Sequence, residues 1–245
     1  MRHAIFISSV LAVVLASTFA PLESRSEDVQ PTKEGLQQAL LSFIVPEAPP
    51  EALEAAIAGK KVLSRLIKNN ESHARELGFS SAADAADANT HLGRPFAFIL
   101  ISLDKLKRFQ PGTDPVSLLI PTPRFLYPIT VGNTPGPPLS SLTVIQTSST
   151  SSTDKKWRAV GWGAPQLIRF LATAQHAGHA SASSFVVRIE ELSRYFLADF
   201  KDGKFVIIPL LSEKKYEFVA GTPIQAELAF LKLVTETQRA LESKH

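Results

Sequence analysis

The chain reads as an α+β protein: helices in its N-terminal part, then two tandem strand-helix-strand-strand-helix units whose sheets pack against helices. Three observations carry this. Apolar residues recur at helical spacing up to about residue 93. From Pro95 onward they fall instead into short runs bounded by Pro and Gly, the pattern of strands. Finally, the phrase "KKWRAVGWGAP" at 155–165 returns as "KKYEFVAGTP" at 214–223.

The chain opens on "MRHAIFISSVLAVVLASTFA", which has an Arg near the start, an apolar run from Ala4 to Ala16 and small residues suited to signal-peptidase cleavage. Residues 1–20 therefore read as a secretory signal peptide. The run is too short for a membrane anchor, and no later stretch is long and apolar enough to span, so no stable membrane span is expected. The polar, Pro-bounded "PLESRSEDVQP" (21–31) reads as a flexible leader. With no Cys, the chain has no disulfide, Cys ligand or Cys nucleophile, and the reading is a periplasmic or secreted protein held by its core. Lys plus Arg number 26 against 23 Asp plus Glu, a balance that gives no footprint for nucleic acid.

Residues 32–93 form the helical region. Leu36, Ala39, Leu40 and Phe43 predict a helix over 34–44, and Leu53, Ala56, Ile57, Leu63 and Ile67 another over 50–68, with "PEAPP" turning the chain between them. In "SSAADAADA", Ser81 with Asp84 three residues on resembles a capping box and predicts a third helix that stops at Gly93.

Beyond it, "ILISLDKLKRF" (99–109) matches "FVVRIEELSRY" (185–195), aligning Asp104 with Glu190, Leu106 with Leu192, Arg108 with Arg194 and Phe109 with Tyr195. "DPVSLLIP" (114–121) matches "DGKFVIIP" (202–209), and the repeated Lys-Lys-aromatic phrase comes third, each time before a helix. Ordered matches of this kind argue for two copies of one unit, 96–175 and 184–240, joined by a linker at 176–183. The first copy carries an insertion at 122–154, read as an added strand pair with "TSSTSST" as a mobile tip. In the closing helix of the first copy Leu167, Phe170, Leu171 and Ala174 make a stripe. In the second, Thr222 as N-cap, Pro223 and Gln225 open the helix, with Ile224, Leu228 and Leu231 on its apolar face, widened by Phe230 and Leu233.

Chemistry is sparsely signalled. His176 and His179 lie in an Ala-, Gly- and Ser-rich linker without further ligands, so no metal site and no cofactor is implied. Gly161-Trp162-Gly163 lacks the last glycine of a dinucleotide loop and runs into Pro165. Lys105, Lys107 and Arg108 read as a solvated helix face. Phe125, Tyr127, Trp157 and Trp162 stand beside Gly and Pro turns, as ligand- or peptide-groove aromatics do, although core packing accounts for them as simply. Arg108 and Arg194, with Asp104 and Glu190, recur at aligned places and would pair across the two copies or line a shared cleft. No catalytic residues are assigned.

"FVVRIEELSRYF" followed by "KFVIIPL" and a terminal helix, together with the signal peptide and the duplicated half, resembles the Tic22 family. Those are exported two-repeat proteins regarded as chaperone-like factors in translocation to outer membranes. The likeness implies a non-enzymatic exported binding protein with protein or peptide partners, such as a periplasmic chaperone or an envelope-assembly factor. Two other readings stand beside it: an exported hydrolase whose triad is assembled from distant residues, with His73 or His91 as base, and a structural envelope module that oligomerises through sheet edges.

Overall fold

The computed structural model describes residues 45–132, 136–149, 152–179, 181 and 183–242, the side chains of 148–149, 152–155 and 236–242 excepted. The signal peptide, the leader and the helix expected at 34–44 lie outside these residues. The described part is a mixed α+β structure, with five helices and one mostly antiparallel sheet of nine strands among the described residues.

Helix α1 (Pro50–Asn69) starts with a proline at its first position and Glu51 in its first turn, and it ends beside Lys68, all of which favour a helix of this polarity. Its buried stripe is Ala52, Ala56, Gly59, Leu63 and Ile67. Leu53 and Ile57, expected to face inward, are 46% and 42% exposed. The stripe is turned by one position because small side chains, not bulky ones, let the helix settle on the sheet. A short helix α2 (Ser72–Glu76) follows.

No third helix forms over "SSAADAADA", where the chain makes turns and a 3-10 segment, Asp87–Asn89. The expected capping bond exists, the Asp84 amide donating to Ser81 Oγ at 3.2 Å. Stronger anchors then take the chain elsewhere. Lys60 Nζ donates to the carbonyls of Asp87 and Thr90 at 2.8 and 2.6 Å, and the Asp87 amide donates to Ser64 Oγ at 3.1 Å. Thus held against α1, residues after Asn89 enter the sheet as β1 (Thr90–Leu92), which pairs with β3.

Strand β2 (Phe96–Ile101) leads through helix α3 (Leu103–Lys107), capped by Ser102 Oγ, to β3 (Leu119–Val131), β4 (Ser140–Ser149) and β5 (Ser152–Gly163). The strand pair expected within 122–154 is therefore present as the continuation of β3 with β4, deep in the sheet. "TSSTSST" is mostly strand, and its tip at 150–151 is outside the described residues. After Ala164, in the left-handed region at φ 58°, helix α4 (Pro165–His176) begins. Then come β6 (Phe185–Ile189), β7 (Arg194–Lys201), β8 (Lys204–Pro209) and the two-residue β9 (Ile224–Gln225), and helix α5 (Ala226–Glu242) closes the described chain. Helix α5 starts later than its Thr222-Pro223 signal predicts, because Ile224 and Gln225 pair with Ile207 and Val206. Its buried face is Ala226, Ala229, Phe230 and Leu233, whereas Leu228 is 52% exposed. The second Lys-Lys-aromatic phrase also differs from the first: Lys214–Tyr216 is a 3-10 turn, while 155–157 lie in β5.

The strand order is β5-β4-β3-β2-β6-β7-β8-β9. Every pairing is antiparallel except the central one, β2 with β6, where Phe98, Ile99 and Leu100 lie opposite Val186, Val187 and Arg188. From this pair the chain runs outward on either side. In the stretch expected as a linker, 176–183, Ser181 and Ser183 are tied to Asp199. This carboxylate is 1% exposed and accepts from the Ser181 amide, the Ser184 hydroxyl and the Phe200 amide at 3.1, 2.8 and 2.8 Å.

Because the central strands are apolar on both sides, both sheet faces require cover. On the first face Ala97, Ile99, Phe125, Tyr127, Leu142, Val187, Phe196 and Ile207 form one core with α1, Leu106 and Phe109 around α3, and Phe230 and Leu233 of α5. On the second, Phe96, Phe98, Leu126, Val186, Leu197 and Ile208 pack against Ile168, Leu171 and Ala174 of α4.

Candidate functional site

One helix of twelve residues, about 18 Å long, cannot cover a sheet whose main path of eight strands spans about 34 Å. Among the described residues α4 is the only helix in the core of the second face, so the described residues leave part of that face without a covering helix. Sheet register identifies the open part. Ile120 lies opposite Leu100, Leu100 opposite Arg188, and Arg188 opposite Tyr195, so these four make one row across β3, β2, β6 and β7. All four are half-buried rather than covered. Arg124, Ile145 and Arg158 extend the same face across β3, β4 and β5.

The centre of this surface is built from charge over aromatic rings. The guanidinium of Arg124 lies 5.9 Å from the Phe98 ring centre, and that of Arg188 lies 5.2 Å from the Tyr195 ring centre. The two rings meet edge to face at 6.4 Å and 83°. Glu190, in the 3-10 turn directly after β6, brings one carboxylate oxygen to both cations, 3.3 Å from Arg188 Nη1 and 3.9 Å from Arg124 Nη1. The buried Nε of Arg188 has no hydrogen-bond partner. Stacking on rings fixes the guanidinium planes, so little rotamer freedom is left to lose when a partner arrives. Farther along, Arg158 Nε donates to Thr147 Oγ1 at 3.2 Å. This face thus offers three guanidinia, one carboxylate, the half-buried Tyr195 ring and a fringe of Ile and Leu, with the Phe98 ring buried beneath Arg124, a composition enriched in protein-binding surfaces.

Of the residues singled out from the sequence, Glu190 belongs to this surface and the others lie elsewhere. Phe125 and Tyr127 are buried on the first face, 2% and 1% exposed. Trp157 packs on Phe125 with ring centres 5.6 Å apart, and the Trp162 indole N–H donates to the Gly59 carbonyl at 3.2 Å. These four are brought together, but beneath α1, which fills the groove they would have lined. Burial pushes the Tyr127 hydroxyl up to about 12, and its oxygen has no hydrogen-bond partner. Arg108 is exposed just after α3. Arg194 is ion-paired with Glu213 and stacked on Tyr216, 4.7 Å from the ring centre. The two arginines do not meet. Asp104 pairs locally with Lys107 at 3.7 Å, and Glu190 with Arg124 and Arg188.

The His73 ring meets the Asn70 side chain at 3.3 Å, and His91 borders a hollow of about 260 Å³ with Leu53, Ile57, Lys60 and Asp87. No serine lines that hollow. Among the described residues no three His, Asp or Glu side chains come together as a metal site, and no helix is long and apolar enough to cross a membrane.

Sequence reasoning passed over Arg124, Arg188, Phe98 and Tyr195. The signal was present as a lone arginine inside an otherwise apolar strand, "FVVRI" for Arg188 and "PRFLYPI" for Arg124. Compared with protein-family models, curated proteins and solved structures, the chain matches none.

Proposed function

We propose that this chain is an exported, non-enzymatic binding protein, of the periplasmic chaperone or envelope-assembly kind, which takes a protein or peptide partner on the open half of its second sheet face. The observation that carries this reading is the cluster of Arg124, Arg188 and Tyr195, half-buried at the edge of the core that α4 covers, with the Arg124 guanidinium over the buried Phe98 ring. A rigid, partly apolar surface rich in Arg and Tyr is suited to holding a polypeptide.

The same reading takes the fold as two related halves, as in the Tic22 family. In its favour, β2-β3-β4-β5-α4 and β6-β7-β8-β9-α5 run outward in opposite directions from the parallel pair. Each half ends in a helix, α4 on one face and α5 on the other, as a two-fold axis lying in the sheet along the strands would place them. The paired register sets Phe98 beside Val186, two positions away from the alignment of 99–109 with 185–195, so the equivalence is one of topology more than of residues.

The test is site-specific photocrosslinking in the native envelope. A photoreactive residue at Ile120 or Ile145 is expected to capture defined protein adducts that one at Leu211, 57% exposed and two residues beyond β8, does not. Equal labelling from all three positions, or none from the open face, would overturn the reading. N-terminal sequencing of the exported product tests cleavage after the first 16 to 20 residues.

A further inference from the structure

Resting on that reading, we infer that the partner is an acidic extended segment, one of whose carboxylates takes the place of Glu190 between Arg124 and Arg188. Glu190 carries the argument. Its side chain is 48% exposed and comes from a short turn, not from the sheet, yet one of its oxygens is the point on which two guanidinia from different strands converge. It marks where a carboxylate fits and leaves the donors short of full use. The contact to Arg124 is long at 3.9 Å, and the Arg188 Nε has no hydrogen-bond partner. A carboxylate arriving from outside, free of the tether to β6, can meet an arginine fork side-on with two parallel bonds.

Charge on the rest of the face points the same way. Among the described side chains of this half of the face, Arg124, Arg158 and Arg188 stand against the carboxylate of Glu190. The nearby Glu191 is engaged elsewhere, accepting from the Leu103 amide at 3.4 Å. From β5 to β6 is four strand steps, about 19 Å, the length of about six extended residues. Ile145, Ile120 and Leu100 lie between and beside the cations, so alternating acidic and apolar side chains fit this face. A phosphate backbone, by contrast, calls for a denser and uninterrupted basic track.

The experiment measures binding of a fluorescent octapeptide alternating Glu and Val to the mature chain, against the same peptide with Gln for Glu. Anionic phosphatidylglycerol vesicles and a short single-stranded DNA serve as competing anions. The acidic peptide is expected to bind at least tenfold more tightly than its Gln counterpart. Arg188→Gln and Arg124→Gln should each abolish that preference. Glu190→Gln, which removes the resident competitor and leaves both arginines, should tighten binding several-fold, a gain that a misfolded variant would not give. Equal binding of both peptides at the face would overturn this inference while leaving the binding-face proposal standing. Failure of either peptide to protect Ile120 and Ile145 probes from crosslinking would remove both. Tighter binding of vesicles or DNA than of the acidic peptide would also overturn it.

Discussion

Gly59 sits in the middle of α1, where an alanine would ordinarily stabilise a helix by about 1 kcal/mol. Here the opposite sign is expected. A methyl group placed on Gly59 would lie 2.4 Å from Ala159 Cβ and 3.1 Å from both terminal carbons of Leu142, against an ordinary carbon-carbon separation of about 3.5–4 Å. Since Ala159 belongs to β5 and has nowhere to retreat, α1 must lift by more than about 1 Å. Overpacking of this kind costs about 1–3 kcal/mol, and lengthening the 3.2 Å bond from Trp162 to the Gly59 carbonyl costs about 1 kcal/mol more. After subtracting the gain in propensity, Gly59→Ala should destabilise the protein by roughly 2 kcal/mol, or about 4–8 °C in Tm for a chain of this size. Urea unfolding of the mature chain measures it, with Ala159→Gly added in a double variant that should recover most of the loss. A neutral or stabilising Gly59→Ala would refute the close seating of α1 on β5.

Three further outcomes are expected. Asp199→Ala strands the Ser181 amide and the Ser184 hydroxyl and should cost about 3 kcal/mol in a thermal or urea melt, while Ser184→Ala should cost about 1 kcal/mol. Because the folded Tyr127 titrates near 12 against 10 when exposed, its contribution is complete below pH 10. Stability should then fall between pH 10 and 12 by up to about 1.4 kcal/mol per pH unit, and Tyr127→Phe should flatten that part of the pH profile without loss at pH 7. Lys60→Met removes the ammonium that holds the carbonyls of Asp87 and Thr90, and should speed amide exchange over 87–92 selectively, leaving β2, β6 and β7 protected.

The periodicity change at Pro95 was legible because it follows from burial alone: apolar runs on both faces of β2, β6 and β8 can only be central strands. The ends of elements were less so. "SSAADAADA" carries a genuine local helix signal, which loses to Lys60, a residue 27 positions before the Asp87 it grips. Thr222-Pro223 likewise announces a helix that waits while Ile224 and Gln225 complete a strand pairing. The aromatics around Gly and Pro were recognisable as a cluster, but which side of the sheet they occupy, and that α1 lies over them, depends on register that no local pattern contains. Arg124 and Arg188 were the opposite case. Each was visible as a charge misplaced in an apolar strand, and only the parallel pairing of β2 with β6, which puts their two strands on either side of β2, joins them into one surface.

That pairing also governs how the chain can reach its native state. Phe98 and Val186 are 88 positions apart, so bringing β2 beside β6 closes a loop whose entropic cost is about 4 kcal/mol, whereas every other adjacent strand pair except β1 with β3 is joined by a far shorter connection. The two outward meanders can each assemble from neighbouring sequence, whereas their union is the pairing of greatest sequence separation and is expected to form after them. Helix α4 shortens the search. It leaves β5 and lays Ile168, Leu171 and Ala174 across Val186, Leu197 and Ile208, so the helix that ends the first meander becomes the splint on which the second is aligned.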